Sequence, residues 1–97
     1  MITVIWSSNS ILSLQDIYNF IAFNSVQDAD FVLDTLFELG DSLNLFPEKF
    51  PVDPVFNKED IRFCPKWNYR IVYRIEINRI YIIDVFSTQQ NQKIFKL

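Results

Sequence analysis

The segment from residue 60 to residue 91 constrains the fold of this chain more than any other part. Alternation of apolar and polar residues indicates a strand with one solvated face, whereas a continuous apolar run indicates a strand buried on both faces. Ile61 to Phe63 has the length of a short strand, Tyr69 to Glu76 alternates, and Arg79 to Phe86 is almost continuously apolar. Only short turns separate these segments. The sequence therefore predicts a three-stranded meander in the second half of the chain.

The first half of the chain predicts one strand followed by two helices. Residues 3–7 alternate as a strand does, and apolar residues then recur at helical spacing over residues 11–21 and 29–43. Ser25 stands where an N-cap would begin the second helix. Because the junction is so short, the two helices must form an antiparallel hairpin. Three prolines within residues 46–57 predict a loop without regular structure.

Together these elements predict a single α+β domain over residues 1–97, in the order β-α-α-β-β-β. We expect the antiparallel helix hairpin to pack on one face of a small, mostly antiparallel sheet. The opposite face would then remain partly open and carry the polar residues of the strands. Apolar residues make up 49% of the chain, so material for one core is abundant.

The composition excludes several classes of site. The chain has no histidine, which removes the usual general base at neutral pH and the commonest metal ligand. Its one cysteine, Cys64, provides neither zinc-site spacing nor a disulfide, and its one glycine, Gly40, provides no phosphate-binding loop. No apolar run approaches the roughly 20 residues that span a membrane, and no signal peptide is recognisable. We therefore expect a cytoplasmic protein without a metal, a cofactor or a membrane partner.

The charges are divided between the two halves of the chain. Residues 1–48 contain seven acidic residues and no Lys or Arg, whereas residues 49–97 contain nine basic and five acidic residues. If the two halves occupy different faces, the basic side of the molecule suits an anionic partner. The alternative is that the first half simply presents a solvated acidic helix face.

The order of several short motifs resembles the RelE/ParE family of bacterial toxins. An apolar-Trp-Ser step ends the first strand, a Leu-to-Phe-Pro boundary follows the second helix, an Arg lies early in the second strand, and a Tyr-Arg-Ile-Val-Tyr core precedes an apolar last strand. These motifs stand at Ile5–Ser7, Leu43–Pro47, Arg62, Tyr69–Tyr73 and Ile80–Phe86. No single motif is specific, but their order and spacing cover nearly the whole chain. The resemblance implies the same β-α-α-β-β-β fold.

The resemblance also implies the toxin of a type II toxin–antitoxin pair, encoded beside a cognate antitoxin protein that neutralises it. ParE-like members inhibit DNA gyrase by binding. RelE-like members are mRNA interferases that cut messages on the ribosome, with the 2′-OH of the RNA as nucleophile. The antitoxin of such a pair wraps a helix and an extended segment over the toxin, and such segments fold on binding. We expect that partner to cover the helix hairpin and part of the sheet.

An interferase of this family would depend on three cations in the second half of the chain: Arg62, Lys66 and Arg70. Cleavage needs cations that stabilise a crowded phosphate and a group that moves a proton. Arg70 matches the Tyr-Arg position, but members of both branches carry an arginine there. Interferases place a His and an Arg after the last strand, where this chain has Ser87 and Gln89, and a terminal Tyr, which residues 93–97 lack. These departures favour the branch that binds without cleaving.

Five residues are candidates for contact with the target or the antitoxin: Arg62, Trp67, Arg70, Arg74 and Lys93. Arg70 and Arg74 share one side of their strand, because alternate residues point the same way. They could bind a phosphate or a partner carboxylate, or they could pair with Glu76 and Asp84 inside the fold. Arg62 is expected on the open face, as a binding residue or as an edge charge that discourages aggregation. Trp67 could stack on a base or lie at the rim of the core.

We interpret the sequence as a toxin of the ParE-like branch that binds an essential target, with DNA gyrase as the expected one and no chemistry of its own. Two alternatives stay open. One is an mRNA interferase that acts on the ribosome and the message, and the other is a family member that has lost toxicity and only binds its antitoxin. The net charge of −3 weighs against the interferase, because positive charge favours binding to RNA. The oligomeric state is not fixed by the sequence, and a homodimer is among the options.

Overall fold

The computed structural model describes residues 2–87 and confirms the predicted α+β architecture. One strand, two helices and three further strands follow one another along the chain. The elements are β1 (Thr3–Trp6), α1 (Ser8–Ala22), α2 (Val26–Asp41), a 3₁₀ turn (Pro47–Lys49), β2 (Ile61–Lys66), β3 (Tyr69–Ile75) and β4 (Arg79–Ser87). Neither of the two helices is long and apolar enough to cross a bilayer within the described part of the chain.

The sheet has four strands in the order β1-β4-β3-β2. β2, β3 and β4 pair antiparallel, as the predicted meander requires, and β1 pairs parallel to β4 at the far edge. Because β1 and β4 run in the same direction, α1 begins at the end of the sheet where β4 finishes. There Ser7 caps α1 by accepting from the backbone N–H of Ser10 at 3.0 Å, and its hydroxyl donates to the carbonyl of Ile83 at 2.7 Å.

The helix hairpin packs on one face of the sheet and forms the main core with it. Side chains of both helices, of the turn after α2 and of three strands meet there: Leu14, Ile17, Leu36, Leu43, Cys64, Ile71, Tyr73, Ile80, Ile82 and Val85. Gly40 lets α2 approach β1 closely, since a Cβ at this position would overlap the ring of Trp6. The indole N–H of Trp6 in turn donates to Asp41 at 2.9 Å. The end of α2 is thereby held against the sheet edge.

β4 contains a bulge that reorients its second half. Tyr73 pairs with Ile82 and Val72 pairs with Asp84, so Ile83 has no partner of its own on β3. The extra residue returns Val85 to the helix side, where it joins the core. The carboxylate of Asp84 accepts hydrogen bonds from the hydroxyl of Ser13 and from the backbone N–H of Val85. The acid in this otherwise apolar strand is thus stabilised by α1.

The connection before β2 is more ordered than its prolines predict, because residues 47–56 wrap around the outer edge of β2. We call this segment the strap. Its first part lies on the helix side of the sheet, where the carbonyl of Pro47 accepts from the hydroxyl of Tyr73 at 2.6 Å. Val52 then forms a bridge with Arg62 at the strand edge. Asp53 follows and reaches Arg70, which lies on the opposite face. The strap therefore covers part of the face that was expected to be open.

β2 is longer than predicted and continues through Pro65 to Lys66. The backbone N–H of Phe63 points outward and donates to the carbonyl of Pro51 at 3.1 Å. The nitrogen of Pro65, two residues further, therefore also points away from β3, so a missing N–H there disrupts no bond of the ladder. The same proline blunts the edge of the sheet against pairing with another strand.

Candidate functional site

Arg70 lies on the face opposite the helices, between a carboxylate and two aromatic rings. Its Nη1 is 3.4 Å from Oδ1 of Asp53. Its Cζ lies 5.5 Å from the ring centre of Phe63 and 6.0 Å from that of Phe86. Its buried Nε has no hydrogen-bond partner among residues 2–87. Arg70 therefore pairs with an acidic residue of the fold. That residue is Asp53 of the strap and not Glu76 or Asp84, which the sequence had offered.

Asp53 is the residue of this site that the sequence pattern did not single out. Its side chain is 1% exposed, and Oδ2 accepts from the backbone N–H groups of Val55 at 3.0 Å and Phe56 at 3.1 Å. A buried carboxylate is costly unless it is paired and hydrogen-bonded, and here both conditions are met. The signal available in the sequence was an Asp directly before Pro54, a combination that favours a turn.

Arg74 lies on the same face as Arg70, as the alternation of β3 predicts. Its Nη1 is 3.5 Å from Oε2 of Glu76, and Arg79 donates to Oε1 of the same carboxylate. Both guanidinium groups lie over the ring of Tyr81, at 5.5 Å for Arg74 and 5.4 Å for Arg79. Both arginine side chains remain more than two-fifths exposed, so this cluster presents two cations and one carboxylate to solvent.

Arg62 does not lie on the open face, contrary to the expectation from its alternation with apolar neighbours. It pairs across the ladder with Tyr73, whose ring is part of the core on the helix side. Its guanidinium donates to three backbone carbonyls, of Glu59 at 3.0 Å, Glu48 at 3.2 Å and Phe50 at 3.0 Å. The prediction was wrong because it assumed that Ile61 and Phe63 face the helices. In the structure these two residues lie on the opposite face, beside Arg74 and Val72. Arg62 holds the strap in place.

Lys66 and Trp67 lie at the turn between β2 and β3. The ammonium of Lys66 lies 4.9 Å from the ring centre of Trp67, and that ring lies 5.9 Å from the ring centre of Phe31 on α2. Trp67 has a φ of 53°, a left-handed conformation that is unfavourable for a bulky residue. It remains half exposed, so it sits at the rim of the hairpin contact.

The candidate cations are therefore divided between the two faces of the sheet. Arg62 and Lys66 share the helix side of β2, whereas Arg70 and Arg74 share the opposite side of β3. Lys93 lies outside the described residues, as does Gln89.

The thiol and two phenols of the sheet are held in their protonated forms at neutral pH. Burial raises the pKa of Cys64 to about 11 and that of Tyr73 to about 12. Burial also raises the pKa of Tyr69. A general base must be largely deprotonated at the working pH, so none of these three groups is suited to that role. Within residues 2–87, no group of three or more carboxylate or thiol side chains is placed to hold a metal ion.

The charge asymmetry of the sequence becomes an asymmetry between two layers. The hairpin carries six acidic residues and no basic one: Asp16, Asp28, Asp30, Asp34, Glu38 and Asp41. Strands β2 to β4 carry five basic residues: Arg62, Lys66, Arg70, Arg74 and Arg79. Since the hairpin packs on one side of the sheet, the molecule has an acidic helical layer and a basic sheet.

Comparison with known proteins places this geometry in one family. The family described as the ParE toxin of the type II toxin-antitoxin system, parDE, matches residues 4–92. A solved structure described as the chromosomal ParDE TA system from P. aeruginosa is similar in fold, with a TM-score of 0.74 and 16% sequence identity over 90% of this chain and 96% of that chain. No curated protein matches. Because the family match extends over most of its length, the chain belongs to the ParE toxin family of type II toxin–antitoxin systems.

Proposed function

We propose that this chain arrests growth by binding an essential target, DNA gyrase, and that a cognate antitoxin protein neutralises it. The proposal that the chain does not cleave RNA rests on one observation: Arg62 and Arg70 lie on opposite faces of the sheet. In an RNA cleavage reaction the cations that stabilise the phosphate must lie on the same face of the protein. Each of them must come within hydrogen-bonding distance of an oxygen of that phosphate. Arg62 instead donates to three carbonyls of the chain itself.

The state of the proton-transfer groups supports the same proposal. The described phenols nearest the Tyr-Arg core, Tyr69 and Tyr73, have raised pKa values, and the hydroxyl of Tyr73 is engaged by the strap. The chain contains no histidine. Binding to a target requires no proton-transfer group. A toxin that acts by binding therefore remains active when these two phenols stay protonated.

The cluster of Arg74, Arg79 and Tyr81 is the surface that we assign to the target. Arginine and tyrosine are enriched among the residues that dominate protein–protein binding energy. The two guanidinium groups stay accessible while Glu76 and the ring of Tyr81 hold them in place. Such a positively charged surface suits an acidic region of gyrase. A toxin that binds gyrase acts in the cytoplasm, and we propose this location for the chain.

A combined growth and supercoiling experiment tests the proposal. The chain would be induced alone and together with the adjacent reading frame, and the purified protein would be titrated into a gyrase supercoiling reaction. We expect growth arrest that the second frame relieves and inhibition of supercoiling. Arg74→Glu/Arg79→Glu should raise the half-inhibitory concentration about tenfold or more. The control Lys58→Glu changes an exposed cation outside this cluster and should have less than about twofold effect.

Two results would contradict the proposal. Growth arrest with unaffected supercoiling would exclude gyrase as the target. Arrest that the adjacent frame does not relieve would exclude that frame as the source of the antitoxin.

A further inference from the structure

Two arginines and a carboxylate form an exposed cluster at the end of the sheet where β3 turns into β4. Arg74 contacts Oε2 of Glu76 through Nη1 at 3.5 Å, and Arg79 donates from Nε to Oε1 of the same carboxylate. Both guanidinium groups lie over the ring of Tyr81. We call these four residues the turn cluster. Because its cations outnumber its anion, the cluster attracts a further anion.

Glu76 binds the two arginines of the turn cluster only weakly. It contacts Arg74 through a single Nη1 and Arg79 through Nε, whereas a guanidinium can hold a carboxylate by two parallel N–H groups. The 3.5 Å separation from Arg74 is long for a hydrogen bond. The side chains of Arg74 and Arg79 are 41% and 47% exposed, and ion pairs at such exposure contribute little to stability. A carboxylate that formed a paired contact with either arginine would therefore displace Glu76 at small cost.

Apolar side chains border the turn cluster and indicate a protein partner. Ile77 lies in the bend between β3 and β4, next to Glu76, and its side chain is fully exposed. Ile5 pairs with Tyr81 across the sheet, shares its face and is also exposed. Glycine and polar residues dominate tight turns, so the fold gives no reason for an isoleucine at this bend. Apolar groups beside paired cations suit a peptide in which an acidic residue has an apolar neighbour.

A nucleic-acid backbone suits this surface less well than an acidic peptide does. Binding along a strand of phosphates requires cations at several successive positions. Arg70, on the same face of β3, lies 3.4 Å from the carboxylate of Asp53 and is only 21% exposed, so it does not extend the cluster. The helix hairpin adds six acidic residues on the other side of the sheet, which repel a polyanion.

We infer that the turn cluster binds a carboxylate side chain of the target and that this carboxylate displaces Glu76 from the two arginines, an inference that rests on the proposed function. In the free protein, Glu76 is an internal competitor. It keeps the guanidinium groups in place over Tyr81 and lowers their affinity for an outside anion. The ligand is an acidic segment whose apolar residue, next to the acid, contacts Ile77.

Two synthetic peptides and one oligonucleotide test the ligand of the turn cluster without gyrase. The acidic peptide would have about 12 residues, with Asp-Leu pairs separated by flexible Gly-Ser spacers. The second peptide would carry asparagine at each aspartate position, and the oligonucleotide would be an oligothymidylate of about 12 nucleotides. Fluorescence anisotropy with the purified full chain at about 50 mM salt would give the dissociation constants. We expect the acidic peptide to bind about fivefold or more tightly than either of the other probes.

Substitution of Glu76 distinguishes a competitor from a support of the arginines. Glu76→Gln removes the competing charge and should tighten binding of the acidic peptide about threefold or more. Glu59→Gln is the matched control, because Glu59 also pairs with an arginine three residues away, Arg62 at 3.5 Å, and is 94% exposed. It changes the net charge equally and should alter the affinity less than about 1.5-fold. Arg74→Gln/Arg79→Gln should weaken binding about fivefold or more, and Glu76→Gln in that background should add less than about 1.5-fold.

Several outcomes would overturn the inference, once urea denaturation has shown that each variant is folded. Unchanged or weaker peptide binding by Glu76→Gln would show that Glu76 supports the arginines and does not compete for them. Equal binding of the asparagine peptide, or binding of neither peptide, would exclude a carboxylate ligand. Tighter binding of the oligothymidylate would identify a phosphate backbone instead. A gain from Glu76→Gln that persists without the two arginines would place the effect outside the turn cluster.

The gyrase supercoiling reaction connects this inference with the proposed function and keeps their failures distinguishable. Glu76→Gln should lower the half-inhibitory concentration about threefold, whereas Glu59→Gln should leave it unchanged. A chain that inhibits gyrase equally well with either residue at position 76 would remove this inference alone. A chain that binds the acidic peptide as expected but does not inhibit gyrase would remove gyrase as the target and leave the ligand class of the turn cluster.

Discussion

The sheet and the helix hairpin carry charges of opposite sign and use them differently. On the sheet, the described arginines contact groups of the fold itself: Arg62 binds carbonyls, Arg70 lies beside Asp53, and Arg74 and Arg79 share one carboxylate. On the hairpin, six acidic residues stand on two helices without a single base. The described arginines of the sheet therefore all contact groups of the fold, with Arg74 and Arg79 still partly exposed, whereas the acidic residues of the hairpin face no base on their own helices.

Burial is the physical origin of this difference. The strap wraps around β2 and removes Asp53 and much of Arg62 and Arg70 from water, with side-chain exposures of 1%, 14% and 21%. A charge in such a place must be paired or hydrogen-bonded, and removing one partner leaves the other uncompensated. The hairpin carboxylates are mostly exposed, where each ion pair or repulsion contributes little to folding. The same kind of substitution should therefore have different effects in the two layers.

The largest effect is expected at Asp53. Asp53→Ala leaves Arg70 without its carboxylate and leaves the backbone N–H groups of Val55 and Phe56 without an acceptor. We expect a loss of about 3 kcal/mol in the free energy of unfolding, measured by urea denaturation. The matched control Asp60→Ala changes an exposed side chain and should cost less than about 0.5 kcal/mol. Equal losses in the two variants would contradict a structural role for the buried carboxylate.

The second effect distinguishes two arginines of the sheet. Arg62→Ala removes three hydrogen bonds, two of them to Glu48 and Phe50 of the strap, and should cost about 2 kcal/mol. Arg79→Ala removes an exposed ion pair with Glu76 and should cost less than about 1 kcal/mol. Limited proteolysis provides a second measurement, since cleavage within residues 47–56 should accelerate only in Arg62→Ala. Similar proteolysis of both variants would show that the strap is held by other contacts.

The third effect depends on pH. The folded state raises the pKa of Cys64 from 9.0 to about 11, so the unfolded chain loses this proton first as the pH rises. The contribution of protonated Cys64 to the free energy of unfolding is fully present below pH 9 and is lost as the pH rises through 11. By pH 10 the loss is about 1 kcal/mol. Tyr73, raised from 10.0 to about 12, adds a loss of the same sign one unit higher. Urea midpoints at pH 8 and pH 10 would measure the loss. In Cys64→Val, which cannot titrate, the loss should be smaller.

The smallest effect on stability is expected on the hairpin. Asp34→Asn removes an exposed carboxylate from a helix without bases and should change the free energy of unfolding by less than about 0.5 kcal/mol. Thermal denaturation of Asp34→Asn beside the unchanged chain would measure this difference. A large loss of stability would show that the hairpin charges serve the fold after all.

The sequence was sufficient for the order of elements but not for the position of the strap. Periodicity identifies the meander and the hairpin because their apolar faces repeat along short, continuous segments. The strap depends on contacts between residues distant in sequence, such as Tyr73 with Pro47 and Arg70 with Asp53, and no local pattern encodes these. For the same reason the face of Arg62 was predicted wrongly, since both sides of β2 are covered. The pairing of Arg74 with Glu76, two residues away, was among the alternatives that the sequence could offer.

The proposal that this ParE-family chain acts by binding and does not cleave RNA rests on two arginines of the sheet, because Arg62 and Arg70 lie on opposite faces and each contacts groups of the fold. Genome-wide mapping of RNA 5′ ends after induction without antitoxin tests this proposal. We predict growth arrest with intact messages. New 5′ ends within translated codons, lost when Arg70 is replaced by Gln in a chain that still folds, would contradict the claim and establish an mRNA interferase.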